Sequence, residues 1–267
     1  MDQTITPIAP QPPAGSRLGL RARLCAAGIH LLLSAGVAAL AAGLVFGLWY
    51  PTPFREISGG RELFLLVVSV DVVLGPLITF AVFDRRKPRR ELARDLAVVA
   101  VLQLAGLGYG LHTVFVVRPV VAALEVDRLR VVRAIDLEGV DLSKAPPEFR
   151  RLPLWGVHTL ATRPPRPEEK VDAVRLGLSG VDLGMQPAFW RPAADVPDAL
   201  RRAARPLQGL IQRYPEQADT LRQAAASAGR GVERLGYLPW LARRTDWIAL
   251  VDLDSGRIVG HAPVDGF

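Results

Sequence analysis

The sequence predicts a membrane protein in which three transmembrane α-helices are followed by an α+β extracytoplasmic domain. Three observations carry this prediction. Three long runs are almost free of charge, the remainder has the composition of a water-soluble domain, and basic residues gather beside alternate ends of the runs. Half of the 267 residues are hydrophobic (50%), yet the formal net charge is +7. The two properties separate along the chain. The three runs hold 52 apolar residues in 69 positions, and the remaining 198 positions are about 41% apolar, slightly under the globular share. Disorder over the whole length is excluded by this apolar content, and a disulfide-stapled fold or a cysteine-based zinc or iron–sulfur site by the single cysteine.

The proline-rich tail, residues 1–24, comes first. The first run, Cys25 to Tyr50, has 26 residues and no Asp, Glu, Lys or Arg. At about 1.5 Å per residue it exceeds a hydrocarbon core of roughly 30 Å, so it spans with some tilt. A signal peptide is the alternative, since Arg17, Arg21 and Arg23 precede the run. The apolar stretch continues to Trp49, however, well past a signal core of about 7 to 15 residues. Cys25 precedes the run instead of following it, which argues against a lipoprotein and for a small apolar residue at a membrane edge. The second run, Leu63 to Phe83, has 21 residues and one acid, Asp71; the third, Leu96 to Val117, has 22 residues and none.

Flanking Lys and Arg orient the spans, because their excess stays cytoplasmic. The tail carries three arginines, and the second link, DRRKPRRELARD, carries six basic residues against three acids. In the first link, Pro51 to Glu62, Arg55 and Arg61 are balanced by Glu56 and Glu62. Tail and second link are therefore expected inside and residues 118–267 outside, in the periplasm of a bacterial inner-membrane protein. Trp49 and Tyr50 suit the outer interface. Of the +7, +4 belongs to residues 1–117, leaving 22 basic and 19 acidic residues beyond them. The charge thus reports topology and contact with anionic membrane lipids, and nucleic acid is not an expected partner.

Asp71 lies near the middle of the second span, where an acid costs roughly 2.5 to 3.5 kcal/mol, so it should face protein. Tyr109, and His112 slightly nearer the surface, offer themselves at matching depth on the third span, whereas His30 is expected to be out of reach. Three roles stay open for Asp71: fixing helix packing, recognising a polar group on a partner's membrane helix, or proton transfer. Gly75 and Pro76 follow one turn later, and Pro76 leaves the carbonyl of Val72 without its donor, so a kink is expected. Ala35, Ala39, Gly43 and Gly47 form a ridge of small residues on the first span, and Gly106 and Gly110 another on the third. Such ridges let helices approach closely, either joining these three spans or receiving a foreign helix.

Residues 118–267 suffice for one domain with its own core. VVAALEVDRLRVVRA reads as a strand or bent hairpin and PLWGVHTLAT as a strand. EEKVDAVRLGL, DVPDALRRAARPLQGLIQRY and PEQADTLRQAAASAG carry helical spacing. The closing segments LGYLPWLARR, TDWIALVDLD and RIVGHAPVD read as strands, with Asp254-Ser-Gly256 as a tight turn. Chemistry-bearing motifs are missing. His158 and His261 lack metal spacing, Asp252-Leu-Asp254 is no calcium loop, and no nucleophile motif or phosphate loop occurs. No catalytic residue, cofactor or metal is expected. Arg201, Arg202, Arg205 and Arg213 read as a solvated helix face, or otherwise as a patch for an acidic protein or lipid headgroups.

HLLLSAGVAAL…GLVFGLWYPTPF, VDVVLGPLITFAVFD and RDLAVVAVLQLAGLGYGLHTVFVVRPVVAALEVDRLRVV, with the ending YLPWLARRTDWIALVDLDSGRIVG, resemble type IV pilin accessory proteins of the TfpX/TfpZ type. The match covers residues 30–133 and 237–260; the helical middle is similar in organisation only. The motif positions retained are His30, Trp49, Tyr50, Pro51, Asp71, Gly75, Pro76, Gln103, Tyr109, Arg118, Pro119, Asp127 and Arg128. The resemblance implies a non-catalytic inner-membrane protein acting on the major type IV pilin, as a chaperone or assembly modulator. It assigns no binding residues. Asp71, Gly75, Pro76, Tyr109, His112, Ala39, Gly43 and Gly47 are the candidates for partner binding or helix packing. A membrane-anchored periplasmic sensor is the alternative, disfavoured because the cytoplasmic parts hold no output domain. An integral membrane enzyme would need polar residues clustered at one depth, which only Asp71, Tyr109 and His112 approach. The oligomeric state stays open.

Overall fold

The computed structural model describes residues 14–242 and 246–267. The prolines of the tail before Ala14 lie outside the described residues, as do Arg243, Arg244 and Thr245, just before the last two strands. The first helix, α1 (Ala14–Leu44), begins inside the predicted tail and ends in a wider π-helical turn, Val45–Trp49. A single turn, α2 (Phe54–Ile57), leads to α3 (Gly60–Val82), and α4 (Arg89–Val116) follows. Three stretches, Gly19–Trp49, Gly60–Val82 and Arg89–Val116, are long and apolar enough to cross a membrane. At one end of the helices Arg23 meets Asp84 at 3.5 Å and Lys87 meets Asp95 at 2.7 Å.

Contacts divide the chain into two units. One is helical, up to Ala41 and Leu65–Leu111; the other joins Ala42–Phe64 to His112–Phe267. The second unit thus takes in the first link and the adjoining ends of all three long helices together with residues 118–267.

A mixed sheet forms the second unit. It contains β1 (Pro119–Glu125), β2 (Arg128–Arg133), β3 (His158–Ala161), β4 (Arg205–Pro206), β5 (Leu235–Leu241), β6 (Ile248–Asp252) and β7 (Arg257–Ala262). The order is β3-β1-β2-β5-β6-β7, with β4 beside β5. The first hairpin is antiparallel, as are β5–β6 and β6–β7, while β1–β3 and β2–β5 run parallel. The expected turn at Asp254-Ser-Gly256 is present. Gly256 has φ +65 and donates its N–H to the carbonyl of Asp252 at 2.8 Å, a conformation that suits glycine.

Besides α2, the described residues of this unit form α5 (Lys170–Leu178), α6 (Val196–Ala203), α7 (Leu207–Arg213) and α8 (Ala218–Ser227). The segment predicted as one helix, DVPDALRRAARPLQGLIQRY, is two helices. Ala204 before Arg205-Pro206 is extended, and the pair forms β4 against Gly236 and Tyr237.

Alternation along the strands sends successive side chains to opposite faces. Leu238, Trp240, Ala249 and Val251 pack with Leu200 of α6 and, from the first link, Phe54 and Ile57. Tyr237, Ile248 and Leu250 pack instead with Leu207, Leu210 and Leu221 of α7 and α8. Val121, Ala123 and Leu160 share a third cluster with Phe149 and Trp190. Both faces are thus covered, and β1, β5 and β6 read as near-continuous apolar runs for that reason.

Candidate functional site

Within the helical unit, α1, α3 and α4 line a half-open cavity of about 490 Å³. Its wall is mostly Leu, Ile, Val and Ala, and its polar groups are His30, Ser34, Asp71, Thr79 and Gln103. The helical period brings them together. His30 and Ser34 are one turn apart on α1, Asp71 and Thr79 two turns apart on α3, and Gln103 sits on the inward stripe of α4 with Ala100 and Leu107.

Gln103 is the hub of the α3–α4 contact. Its amide donates to the backbone carbonyl of Asp71 at 3.0 Å and also hydrogen-bonds the Asp71 side chain. Asp71 precedes Val72, whose carbonyl loses its usual donor at Pro76, so the amide supplies a donor next to the place where the backbone needs one. Gly75 makes the approach possible, because a Cβ there would collide with the Gln103 amide. Across the cavity, Nδ1 of His30 lies 2.5 Å from Oγ1 of Thr79, which is only 3% exposed. An apolar chamber with hydrogen-bonding groups on its floor suits a side chain that carries a polar tip on an apolar stem.

The predicted positions separate. Asp71 lines this site, Gly75 packs against its Gln103, and Pro76 continues α3 half-buried beside them. Tyr109 and His112 were the expected neighbours of Asp71, but neither lines the cavity; Tyr109 is 75% exposed and His112 is exposed at the end of α4 counted with the sheet unit. His30, expected to be out of reach, lines the cavity with Asp71. Rotation of the helices about their axes decides these outcomes, and depth along the span does not reveal it. Ala39, Gly43 and Gly47 face outward, with open space where Cβ atoms on the two glycines would stand. They do not pack the three helices together. Gly110 does, since a Cβ there would strike the Val67 side chain. Gln103 was visible as a lone amide in an apolar run, the signal by which it can be found.

The sheet unit brings together no comparable set among the described residues. His158 and His261 stand on the two edge strands of the sheet, and His158 packs edge-on against Phe149 at 5.6 Å. Burial pushes the His261 imidazole down to about 4, and its Nδ1 is buried without a partner among the described residues, so the ring is neutral at pH 7. Asp252 accepts from the Asp254 N–H, the Ser255 hydroxyl and Arg230, and the first of these leads in holding its carboxyl below the usual range. These contacts belong to a hairpin turn. Arg205 is also committed, to Asp127 at 2.6 Å, while Arg201 pairs with Asp198 at 3.0 Å.

The family model for the fimbrial assembly protein FimB matches residues 19–59, the first apolar helix together with the link that carries Phe54 and Ile57. The serogroup I fimbrial assembly protein of Dichelobacter nodosus is 35% identical over 243 residues, which cover 90% of this chain and 94% of that one. The serogroup E1 protein of the same organism is 33% identical over the same shares. The protein of serogroups C1 and C2 is 40% identical over 110 residues, 41% of this chain and 84% of that one. No solved structure matches.

Proposed function

Because the chain belongs to the fimbrial assembly protein family, with a role in pilus biogenesis, we propose that it binds the major pilin of a type IV pilus as a chaperone or assembly modulator. The proposed setting is the bacterial inner membrane, with the N-terminus in the cytoplasm and the sheet domain in the periplasm, as the basic flanks favour. The role is one of binding and involves no catalysis, cofactor or nucleic acid.

The observation that carries this reading is the cavity among three apolar helices, floored by Asp71, Gln103, His30 and Thr79. A pilin awaiting assembly is a membrane helix with a globular head, and a partner needs a surface for each part. In lipid, association of helices rests on close packing and hydrogen bonds, since the tails are as apolar as leucine. The outward ridge of Ala39, Gly43 and Gly47 on the first span supports the same reading by offering close approach to a foreign helix.

The test is site-specific photocrosslinking in cells that make pilin, with probes at Ala39 and on the sheet domain, combined with deletion of the protein. The expected result is a crosslink to the major pilin from the helix probe and loss of surface pili on deletion. Undiminished piliation after deletion would overturn the proposal.

A further inference from the structure

We propose that the loop Arg150–Trp155 is an interfacial membrane anchor, a fourth attachment point that seats the sheet domain on the bilayer surface. The inference rests on the reading of the three apolar helices as membrane spans and adds a lipid contact to it.

Leu154 and Trp155, 60% and 66% exposed, form an adjacent pair of large apolar side chains at the surface. They are adjacent in RRLPLWG, preceded by two exposed arginines. Their height is fixed by hydrogen bonds. The N–H of Gly156 donates to the carbonyl of Leu48 at 2.8 Å, and Leu48 is the penultimate residue of the first apolar stretch. On the other side Arg118 donates to the carbonyl of Pro153 at 3.0 Å and to that of Phe115 at 2.8 Å, in the last turn of α4. Its guanidinium lies 3.7 Å from the centre of the Phe115 ring, which in turn meets Trp49 at 5.0 Å. The loop is thus tied, at Pro153 and at the Gly156 that follows it, to the final turns of two spans. Gly156, at φ +72, supplies a turn that a residue with a Cβ would adopt only under strain.

Chemistry at that level selects lipid as the occupant. Tryptophan collects where hydrocarbon meets headgroups, because its ring is apolar and its N–H needs a polar partner. Leu154 adds an apolar side chain that gains from hydrocarbon. Arg151 has no ion-pair partner among the described residues and suits a lipid phosphate, while Arg150 is partly engaged by the carbonyl of Ala145 at 3.1 Å. Basic residues followed by an exposed Leu-Trp pair, held level with span ends, match an interfacial surface on each count.

The experiment uses the full chain in vesicles of phosphatidylethanolamine and phosphatidylglycerol, with spin labels on single cysteines in a Cys25→Ser background. Labels at Trp155→Cys and Leu154→Cys report on the loop. Leu40→Cys, 78% exposed on α1, is the hydrocarbon reference, and Asp219→Cys, fully exposed on α8, the aqueous one. Depth is read from the ratio of collisions with oxygen to collisions with a water-soluble nickel chelate. The expected ratios at 154 and 155 lie between the two references, clearly above that at 219. A ratio at both loop positions equal to that at 219, with a hydrocarbon ratio at Leu40, would overturn the anchor and leave the spans standing. An aqueous ratio at Leu40 would overturn both. Protection of the loop only when pilin is present would overturn the lipid contact in favour of a protein one.

Discussion

The helical unit and the sheet domain are built inside out with respect to one another. In the helical unit the large apolar side chains, such as Leu32, Leu66 and Leu102, point outward, and the groups gathered inside are Asp71, Gln103, His30 and buried Thr79. In the sheet domain Leu238, Trp240 and Leu250 are fully buried and the charged residues lie mostly at the surface. One chain thus obeys two rules, because each region is matched to a different solvent. Water drives the sheet domain together through apolar burial. Hydrocarbon gives no such drive, so the helices rely on packing and on a few hydrogen bonds.

Truncating large side chains tests this contrast most severely. Phe54 contacts Trp240 edge-on with ring centres 5.4 Å apart, inside the core of the sheet domain. Phe54→Ala is expected to lower the domain's stability by about 3–5 kcal/mol, the range for emptying an aromatic site in a core. Leu102→Ala, on the exposed face of α4, is expected to change stability by no more than about 0.5 kcal/mol. Denaturant unfolding of the purified proteins in detergent, followed by tryptophan fluorescence and circular dichroism, measures both. Comparable losses would mean that the outward leucines of the helices are covered by protein, and the two-solvent reading would fail.

Phe54 also marks what the sequence conceals. The three spans are legible because each is one uninterrupted run, and the strands of the final hairpin because their apolar residues are bounded by Asp254-Ser-Gly256. In PTPFREISGGRE the apolar pair Phe54 and Ile57 stands among balanced charges, and only a sheet some 70 to 200 residues later in the chain reveals that the pair is core. The same holds for Gln103. Periodicity says which residues share a face of one helix, but not how that face is turned toward the next, so Asp71 is recognisable as an interior acid while depth alone points to Tyr109 and His112 instead of Gln103 and His30. Arg205-Pro206 adds a third case, a break in an apparently continuous helix that pairs with β5.

Acid sharpens the comparison from the water-facing side. Burial holds His261 near a pKa of about 4, below the value of about 6.5 expected when unfolded. The unfolded chain then binds the proton more readily, so the stability associated with the neutral ring is fully present above about pH 6.5 and is lost as pH falls toward 4. The expected loss is about 3 kcal/mol across that window. His261→Phe keeps a ring facing Trp240 but cannot titrate, and its stability should vary less between pH 6.5 and 5 than that of the parent. Identical pH profiles for the two proteins, read from denaturant midpoints, would show that His261 charges without cost and that this part of the sheet is open to water.

The smallest effect is expected in the helical unit, where it decides most about function. Hydrogen bonds between membrane helices contribute on average about 0.6 kcal/mol and at most roughly 1.7 kcal/mol, because an unpaired group in the membrane finds other partners. Gln103→Leu removes the donor to Asp71 and should cost about that much, measured by thermal unfolding in detergent. Asp71→Asn retains hydrogen-bonding capacity at the same site and should cost less. If the cavity serves only to pack α3 against α4, pilin crosslinking should follow stability and be hardly changed in either variant. If Asp71 meets a polar group of the pilin helix, Asp71→Asn should weaken crosslinking while leaving thermal unfolding almost as it was. That divergence separates a group that holds the protein together from one that holds its partner, because a packing role cannot change binding without changing stability.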